Sequence, residues 1–269
     1  MAFCSYCGKE VPPQATSCPN CGHPAMQTQP AMRPGQTTAS DVQVESAALN
    51  RITWYAILQI AGVAGSIATY ILFIPRFFSR LPTTSGTASA SDVASWLQGL
   101  LSYLTVVIAV TFAIGLIAVF LLLSAFRRLS KLDGSSFSTP ATLTILLLVG
   151  MAGAGVGLIP LFGMLSPLLS NIAQNPTYTL TGGQVADLSA AAALIVIGGI
   201  LSIIGVIGGE IFGLWRVGTR YDSTAIKISA ISIVIPYLNW VGPVLLLVGV
   251  LDAKNKLERQ SRPQFAGSL

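Results

Sequence analysis

The feature that most constrains the fold is a series of long apolar blocks separated by short polar segments. Blocks of about 20 apolar residues have the length that a helix needs to cross a hydrocarbon layer about 30 Å thick. Only 9% of the residues are charged and the mean hydropathy is +0.70, whereas a soluble domain carries about 25% charged residues. The sequence therefore predicts an all-α polytopic membrane helix bundle.

Five blocks qualify, so the bundle is expected to have about five transmembrane helices. The blocks comprise residues 52–74, 96–126, 141–159 with an apolar extension to 169, 188–215 and 226–251. They contain no His, no Cys, no pair of aspartates and no HExxH or GxSxG motif. An intramembrane enzyme needs converging nucleophiles, metal ligands or acid and base groups. The sequence thus predicts a protein that is not an enzyme.

The N-terminus carries two CxxC-Gly units separated by ten residues. Four thiolates satisfy the tetrahedral preference of Zn²⁺, and a two-residue gap lets both sulfurs of one unit reach the same ion. We therefore predict a zinc ribbon over residues 1–23 that binds structural Zn²⁺ through Cys4, Cys7, Cys18 and Cys21.

Two other uses of these cysteines are a pair of disulfides and a redox-active CxxC. Disulfides need an oxidising compartment, and a redox motif normally opens a helix within an α/β fold, which the sequence does not predict. His23 follows the second unit, but four thiolates already complete the zinc shell, so we interpret it as a bystander. Reduced, zinc-bound cysteines favour a cytosolic N-terminus.

The remaining boundaries follow from composition. Residues 24–48 are rich in Pro, Gln, Thr and Ala without apolar periodicity, which is typical of a flexible linker. The transmembrane domain is predicted over residues 49–257, and a polar C-terminal tail over residues 258–269. The 15 Lys and Arg residues lie scattered at the ends of the apolar blocks. They form no basic stripe, so nucleic acid is a disfavoured partner.

The basic residues also bear on orientation. With a cytosolic N-terminus and five crossings, nine Lys and Arg residues lie inside and six outside, and four of those six are in the C-terminal segment. The positive-inside rule therefore holds except at the tail. Pro236 and Pro243 interrupt the last block, so a re-entrant pair of half-helices is the alternative to a fifth crossing. The side of the C-terminus stays open.

Two basic segments have a similar pattern. Phe126-Arg127-x3-Lys131-x-Asp133 and Trp215-Arg216-x3-Arg220-x-Asp222 both run through Ser or Thr into the next block. The match suggests two duplicated helical hairpins whose loops face the same side. The simpler interpretation is that basic cytosolic loops resemble one another.

Small and polar residues within the blocks are the other candidates. Gly205, Gly209 and Gly213 recur every four residues, and Gly153, Gly155 and Gly157 cluster in the third block, which favours close helix packing over a cavity-lining face. Glu210 is the one acidic residue well inside a block. A carboxylate in hydrocarbon is costly, so we expect its head to reach interfacial water, with an ion, proton or polar-ligand role as the alternative. Gln59 is interpreted as a helix contact.

Residues 126–148 (FRRLSKLDGSSFSTPATLTILLL) join a basic loop through Ser-Thr-Pro to a Leu-rich span. This stretch resembles the archaeal multi-pass membrane proteins of the domain-of-unknown-function 973 (DUF973) family, some of which carry an N-terminal zinc ribbon. The resemblance covers about residues 47–257 and implies an archaeal cell-membrane protein, with no catalytic residues to carry over.

Three functions follow as hypotheses. The first is a membrane protein, not an enzyme, whose cytosolic zinc ribbon recruits or senses a protein partner. The second is a small transporter or channel built from two helical hairpins. The third is an accessory subunit of a larger membrane complex, and a homo-oligomer is also compatible with the sequence. The lipid bilayer is a partner in each.

Overall fold

The computed structural model describes residues 2–3, 10–11, 20–21, 39–79, 90–175, 177–233, 235, 238 and 240–261. The chain divides between Ser40 and Asp41 into two compact units. In the N-terminal unit, strand β1 (Ala2–Phe3) pairs antiparallel with β2 (Glu10–Val11). Asn20 and Cys21 form a turn.

The second unit is helical. Its elements are α1 (Ala39–Phe78, starting in the first unit), α2 (Ala90–Leu132), α3 (Gly134–Gln174), α4 (Gly182–Gly205), a π-helical turn (Val206–Ile211), α5 (Phe212–Arg220), α6 (Thr224–Ser232) and α7 (Val241–Ser261). In the described part of the chain, four helical stretches are long and apolar enough to cross a membrane: Ser40–Phe73, Ser95–Leu132, Gly134–Ile172 and Gly182–Arg220. The predicted membrane helix bundle is thereby confirmed, with the first four blocks as its long helices.

Helix boundaries follow local chemistry. Asp133 separates α2 from α3 and caps α3, because its carboxylate accepts a hydrogen bond from the backbone N–H of Ser136 at 3.1 Å. Thr181 caps α4 in a capping box with Gln184, whose side chain accepts from the Thr181 N–H in return. Each cap satisfies N–H groups that the first turn of a helix leaves without a partner.

Helices α3 and α4 pack closely through small residues. A Cβ placed on Gly205 would lie 2.4 Å from the backbone nitrogen of Leu147, and one on Gly198 would lie 2.5 Å from that of Ala154. Gly157 is equally tight against the Ala191 carbonyl, at 2.7 Å. Lipid offers no hydrophobic drive for helix association, so such close approach supplies the attraction by van der Waals contact.

The last apolar block differs from the favoured prediction of a fifth crossing. It forms two helices, and α6 has nine residues, which span only about 14 Å at 1.5 Å per residue. Pro236 lies between the two helices, where its missing N–H and its steric effect on the preceding residue oppose a continuous helix. Pro243 falls in the first turn of α7, where a proline needs no helical N–H partner.

Helix α7 returns along α6. A Cβ on Gly242 would lie 3.4 Å from the backbone nitrogen of Ile233, and one on Gly249 would lie 2.9 Å from that of Ile226. The pairing is therefore antiparallel. The ammonium of Lys256 donates to the Asp222 carbonyl at 3.4 Å, so the end of α7 lies beside the start of α6. The last block therefore forms a hairpin that returns to the end of the bundle where it began, as in the re-entrant alternative, and not one continuous helix.

One hydrophobic core joins the first half of α1 to α2, α3, α5, α6 and α7. Its largest fully buried side chains are Tyr55, Phe126, Phe137, Leu49, Ile52, Leu122, Leu129, Leu214, Ile226, Leu246, Val217 and Val250. Many apolar side chains elsewhere on the long helices face outward, and Ile71 and Ile159 are each 66% exposed. Helices that present such side chains are suited to lipid as their solvent.

Candidate functional site

The predicted zinc ligands fall mostly outside the described residues. Cys4, Cys7 and Cys18 lie there, whereas Cys21 is in an exposed turn. The pairing of Phe3 with Glu10 brings together the two ends of the segment that carries the first CxxC unit. A short hairpin of this kind suits a zinc knuckle, in which both thiolates come from one turn.

The helical unit contains a polar layer at the end where the α2–α3 and α5–α6 turns lie. Arg220, the last residue of α5, donates to Glu45 on α1 through its Nη2 and, at 3.0 Å, through its Nε. Its Nη1 lies 3.8 Å from the carboxylate of Asp133. The Glu45 residue is only 5% exposed. A buried carboxylate needs such a paired, hydrogen-bonded cation. Because Arg220 contacts both Glu45 and Asp133, it links α1 to the α2–α3 and α5–α6 turns.

Asp133 has a second role besides this contact. The hydroxyl of Ser135 donates to its carboxylate at 2.7 Å, and Ser136 donates through its backbone N–H. These hydrogen bonds from Ser135 and Ser136 lower the pKa of Asp133 below its ordinary value. The stabilisation from this cap is therefore present at neutral pH and is lost as the pH falls through the acidic range in which Asp133 takes up a proton.

Arg216 resolves a defect that a proline introduces into α3. Pro140 has no N–H, so the carbonyl of Ser136, four residues earlier, lacks its helical partner. The Nη1 of Arg216 donates to that carbonyl. A cation on α5 thus supplies the hydrogen bond that the α3 backbone cannot make.

Tyr221 follows directly after the Arg220 ion pair. Burial, reinforced by the negative charge of Glu45, raises the pKa of its phenol well above the ordinary value. Within the described part of the chain, its hydroxyl oxygen is buried without a hydrogen-bond partner. The phenol is therefore neutral throughout the physiological pH range.

A second polar cluster lies deeper in the bundle, at the π turn. Glu210 is 5% exposed, and its Oε1 accepts a hydrogen bond from the hydroxyl of Tyr55 on α1. Gln59, one turn further along α1, donates to the same hydroxyl at 3.1 Å. The expectation that the Glu210 head reaches water is thus corrected, because the carboxyl packs inside the protein against Tyr55.

The π turn packs closely against α3. A Cβ on Gly208 would lie 2.3 Å from the side chain of Leu143, and one on Gly209 would lie 2.6 Å from the hydroxyl of Thr144. Two successive glycines therefore press this turn onto α3. π-helical turns occur frequently at functional sites, and here the next residue is Glu210, which contacts α1.

The predicted glycine faces are used for packing. Gly205 and Gly209 contact α3, whereas a Cβ on Gly213 would lie 2.4 Å from the ring of Phe126 on α2. Gly155 likewise lies against Phe112 of α2. None of these four glycines has the open space that a cavity-lining face would require.

Sequence reasoning selected Glu210 and Gln59 but missed Tyr55 and Glu45. Tyr55 lies near the start of the first apolar block, where tyrosines are common at the headgroup region, and it is 155 positions from its partner Glu210. Glu45 lies in the segment predicted as a linker, although in the structure it belongs to α1. Arg216 was selected only as a basic residue of a loop, and the one signal for its hydrogen bond was Pro140, whose missing N–H leaves a carbonyl in need of a donor.

Comparison with known protein families shows which family the chain belongs to. The family model described as a protein of unknown function, DUF973, matches residues 46–268. The chain belongs to the DUF973 family. A zinc-ribbon domain model matches residues 3–25 of the same DUF973 chain, as the cysteine spacing predicts. Neither a curated protein nor a solved structure matched the chain.

The family assignment and the fold agree. This DUF973 protein is a membrane protein with an N-terminal zinc ribbon, and its described residues include four long apolar helices. The match to DUF973 includes residues 126–148, whose pattern carried the resemblance. Neither matched family model describes an enzyme.

Proposed function

We propose that this DUF973 protein recruits a protein partner to the cytosolic face of the membrane through its zinc ribbon and has no catalytic activity of its own. The observation that carries the proposal is the division of the chain into a zinc-ribbon unit and a separate membrane-helical unit. Taken as a flexible chain, a linker of about 15 residues, from residue 24 to the start of α1 at Ala39, spans roughly 20 Å. That reach suits capture of a partner beside the membrane.

The domain bounds belong to the same proposal. The ribbon comprises residues 1–23, the linker residues 24–48, the transmembrane domain residues 49–257 and the polar tail residues 258–269. Because α1 begins at Ala39, the last part of the linker segment is helical and joins the membrane unit.

In this proposal Cys4, Cys7, Cys18 and Cys21 hold one structural Zn²⁺ as thiolates. A zinc ribbon of this size has too few residues for a hydrophobic core, so metal binding supplies most of its folding free energy. The ion stabilises the folded shape of the ribbon surface and takes part in no reaction. The partner therefore recognises a surface that exists only in the zinc-bound state.

The cytosolic orientation is supported by the distribution of charge. The hydrogen bonds of Lys254 with Asn50, at 3.1 Å, and of Lys256 with Asp222 put the C-terminal lysines at the end that also holds Arg216 and Arg220. Basic residues accumulate on the cytosolic side of membrane proteins. In this proposal that end of the bundle is the cytosolic one.

The transporter hypothesis has less support. Its glycine faces are filled by neighbouring helices, and the broken last block forms a hairpin packed within the core. The accessory-subunit hypothesis is compatible with recruitment and differs in one respect. A subunit contacts its complex at fixed stoichiometry through the membrane helices, whereas a recruiter contacts its partner through the ribbon.

Affinity capture from native membranes tests the recruitment proposal. Wild-type protein, the Cys18→Ser variant and the control His23→Ala are purified under mild detergent, and their partners are quantified by mass spectrometry. We expect a protein partner with wild type and with His23→Ala, which keeps all four thiolates, and loss of that partner with Cys18→Ser. Identical partner sets for all three proteins would contradict recruitment through the ribbon.

A further inference from the structure

The Glu210 cluster has no part in recruitment by the zinc ribbon. The uncharged apolar stretch of residues 188–209 ends directly before Glu210, and a stretch of about 20 residues fills the hydrocarbon layer. The carboxyl thus lies where the apolar stretch meets the polar end of the bundle. It is buried among protein side chains and not dissolved in interfacial water.

The hydrogen bonds of the cluster form a short chain between two elements. Gln59 donates to the oxygen of Tyr55, and Tyr55 donates to the carboxyl of Glu210. Tyr55 is 1% exposed, so bulk water does not compete for its hydroxyl. These two hydrogen bonds join the middle of α1 to the π turn.

No cation balances this carboxyl in the described part of the chain. Helix α3 contains no ionisable residue, and Tyr55 is the ionisable side chain that hydrogen-bonds Glu210. The other ionisable residues of the elements that contact the π turn are Asp187 on α4, Arg216 and Arg220 on α5, Lys227 on α6, and Asp41, Glu45, Arg51, Tyr70 and Arg76 on α1. Of these, Arg216 binds the Ser136 carbonyl, Arg220 binds Glu45, and Lys227 packs against Gly218.

The size and composition of the cluster select the ligand. A hard metal cation takes about six oxygen ligands, whereas the cluster offers one carboxyl and one hydroxyl beside an amide. Fully buried apolar side chains such as Ile52 and Leu214 occupy the surrounding core. A proton needs only one oxygen and no additional space.

We propose that Glu210, held by Tyr55, is a proton-binding site of this protein. A proton from water adds to the Glu210 carboxylate to form the carboxylic acid, and release returns the proton to water. The Tyr55 hydroxyl stays hydrogen-bonded to Oε1 in both states. A hydrogen bond to a carboxylate is roughly twice as strong as one between neutral groups, so proton uptake weakens the link between α1 and the π turn.

Infrared difference spectroscopy tests the site directly. Full-length protein in phosphatidylcholine vesicles is acidified stepwise from pH 9 to pH 4, and the carbonyl stretch of carboxylic acids is recorded. We expect a band in the wild type that Glu210→Gln removes and that Tyr55→Phe shifts in frequency, since the phenylalanine lacks the hydrogen-bonding hydroxyl. Glu258→Gln, which changes an exposed carboxyl on α7, is the control and should leave that band in place.

Equal spectra for wild type and Glu210→Gln over the whole range would overturn the proposal. If Glu210→Gln does not accumulate in the membrane, Tyr55→Phe decides the question, because it keeps the buried ring and removes only the hydroxyl. A frequency shift relative to wild type then supports the site. An unchanged band in Tyr55→Phe would assign the absorption to another carboxyl and exclude the site.

Discussion

Pro140 leaves one backbone carbonyl of α3 without its helical hydrogen bond, and Arg216 supplies the missing donor. The ring of Pro140 removes an N–H from α3, and the Arg216 guanidinium then binds the carbonyl left over on Ser136. Neither residue suggests the other from the sequence, where Arg216 reads as a basic residue at a membrane boundary. Its position at the end of a span was predictable, but its hydrogen bond was not.

A double-mutant cycle tests this pair. Arg216→Ala should destabilise the protein by about 1.5 kcal/mol, since a hydrogen bond from a charged group contributes about 1.5 to 3 kcal/mol. In the Pro140→Ala background the Ser136 carbonyl regains a backbone donor, so the same Arg216→Ala change should cost less, with a coupling of about 1 kcal/mol. Thermal unfolding in detergent measures both values. Equal costs in the two backgrounds would show that Arg216 acts in another way.

Glu210 was predictable as a candidate residue, but its hydrogen-bond partner was not. Its presence in an apolar block singled it out as a candidate. Its partner Tyr55 was not predictable, because tyrosines near the ends of spans are common at the headgroup region. The hydrogen bond depends on which face of α1 meets the π turn, and no local pattern in the sequence specifies that.

At the scale of elements, small residues determine which helices approach closely. The four-residue spacing of Gly205 and Gly209 predicted a packing face, and the structure shows that α3 occupies it. The spacing did not identify α3 as the partner. The π turn also escaped prediction, because its glycine pair is equally compatible with a regular helix.

Gly205→Ala should therefore be strongly destabilising. Its Cβ would lie 2.4 Å from the Leu147 backbone nitrogen, which backbone movement alone can relieve, and such overpacking costs about 1 to 3 kcal/mol. Gly199→Ala is the matched control, because nothing lies within 4 Å of its Cβ position. Alanine favours a helix over glycine, so the control should leave the unfolding temperature equal or raise it. A similar loss in both variants would contradict the packing role.

The α6–α7 hairpin is the element whose path the sequence left open. Its prolines allowed both a fifth crossing and a re-entrant segment. The length of α6 and the contact of Lys256 with the Asp222 carbonyl favour the second path. Both ends of the hairpin then lie on one side of the membrane.

Cysteine labelling from each side of the membrane tests this path. With the native cysteines replaced by serine, single cysteines are introduced as Ser268→Cys in the tail, Ser135→Cys at the α2–α3 turn and Thr84→Cys between α1 and α2. We expect an impermeant reagent to label the first two from one side and the third from the other. Labelling of Ser268→Cys together with Thr84→Cys would restore the fifth crossing.

At the scale of the whole molecule, the hairpin agrees with the proposed cytosolic orientation under the positive-inside rule. A fifth crossing would have put the C-terminal basic residues outside, whereas the contacts of Lys254 and Lys256 bring them to the end that carries the other basic turns. Hydrophobic block lengths and cysteine spacing predicted the membrane bundle and the zinc ribbon, since both depend on local composition. Contacts between distant helices depend on the full packing and were not predictable.

The similar basic segments at 126–133 and 215–222 lie together at one end of the bundle, because Arg220 lies near Asp133. That arrangement fits two hairpins with loops on the same side. The caps differ, however, since Asp133 caps α3 whereas Ser223 caps α6. Duplication of the hairpins stays a prediction.

Cross-linking mass spectrometry in native membranes tests recruitment by the zinc ribbon most directly. Lys9 is the one lysine within residues 1–23, and Lys254 and Lys256 belong to α7. We predict that Lys9 cross-links to another protein in wild type and loses this link in Cys18→Ser, while the links of Lys254 and Lys256 within the bundle persist. A Lys9 cross-link to the same protein at equal yield in both would contradict recruitment by the zinc-bound ribbon.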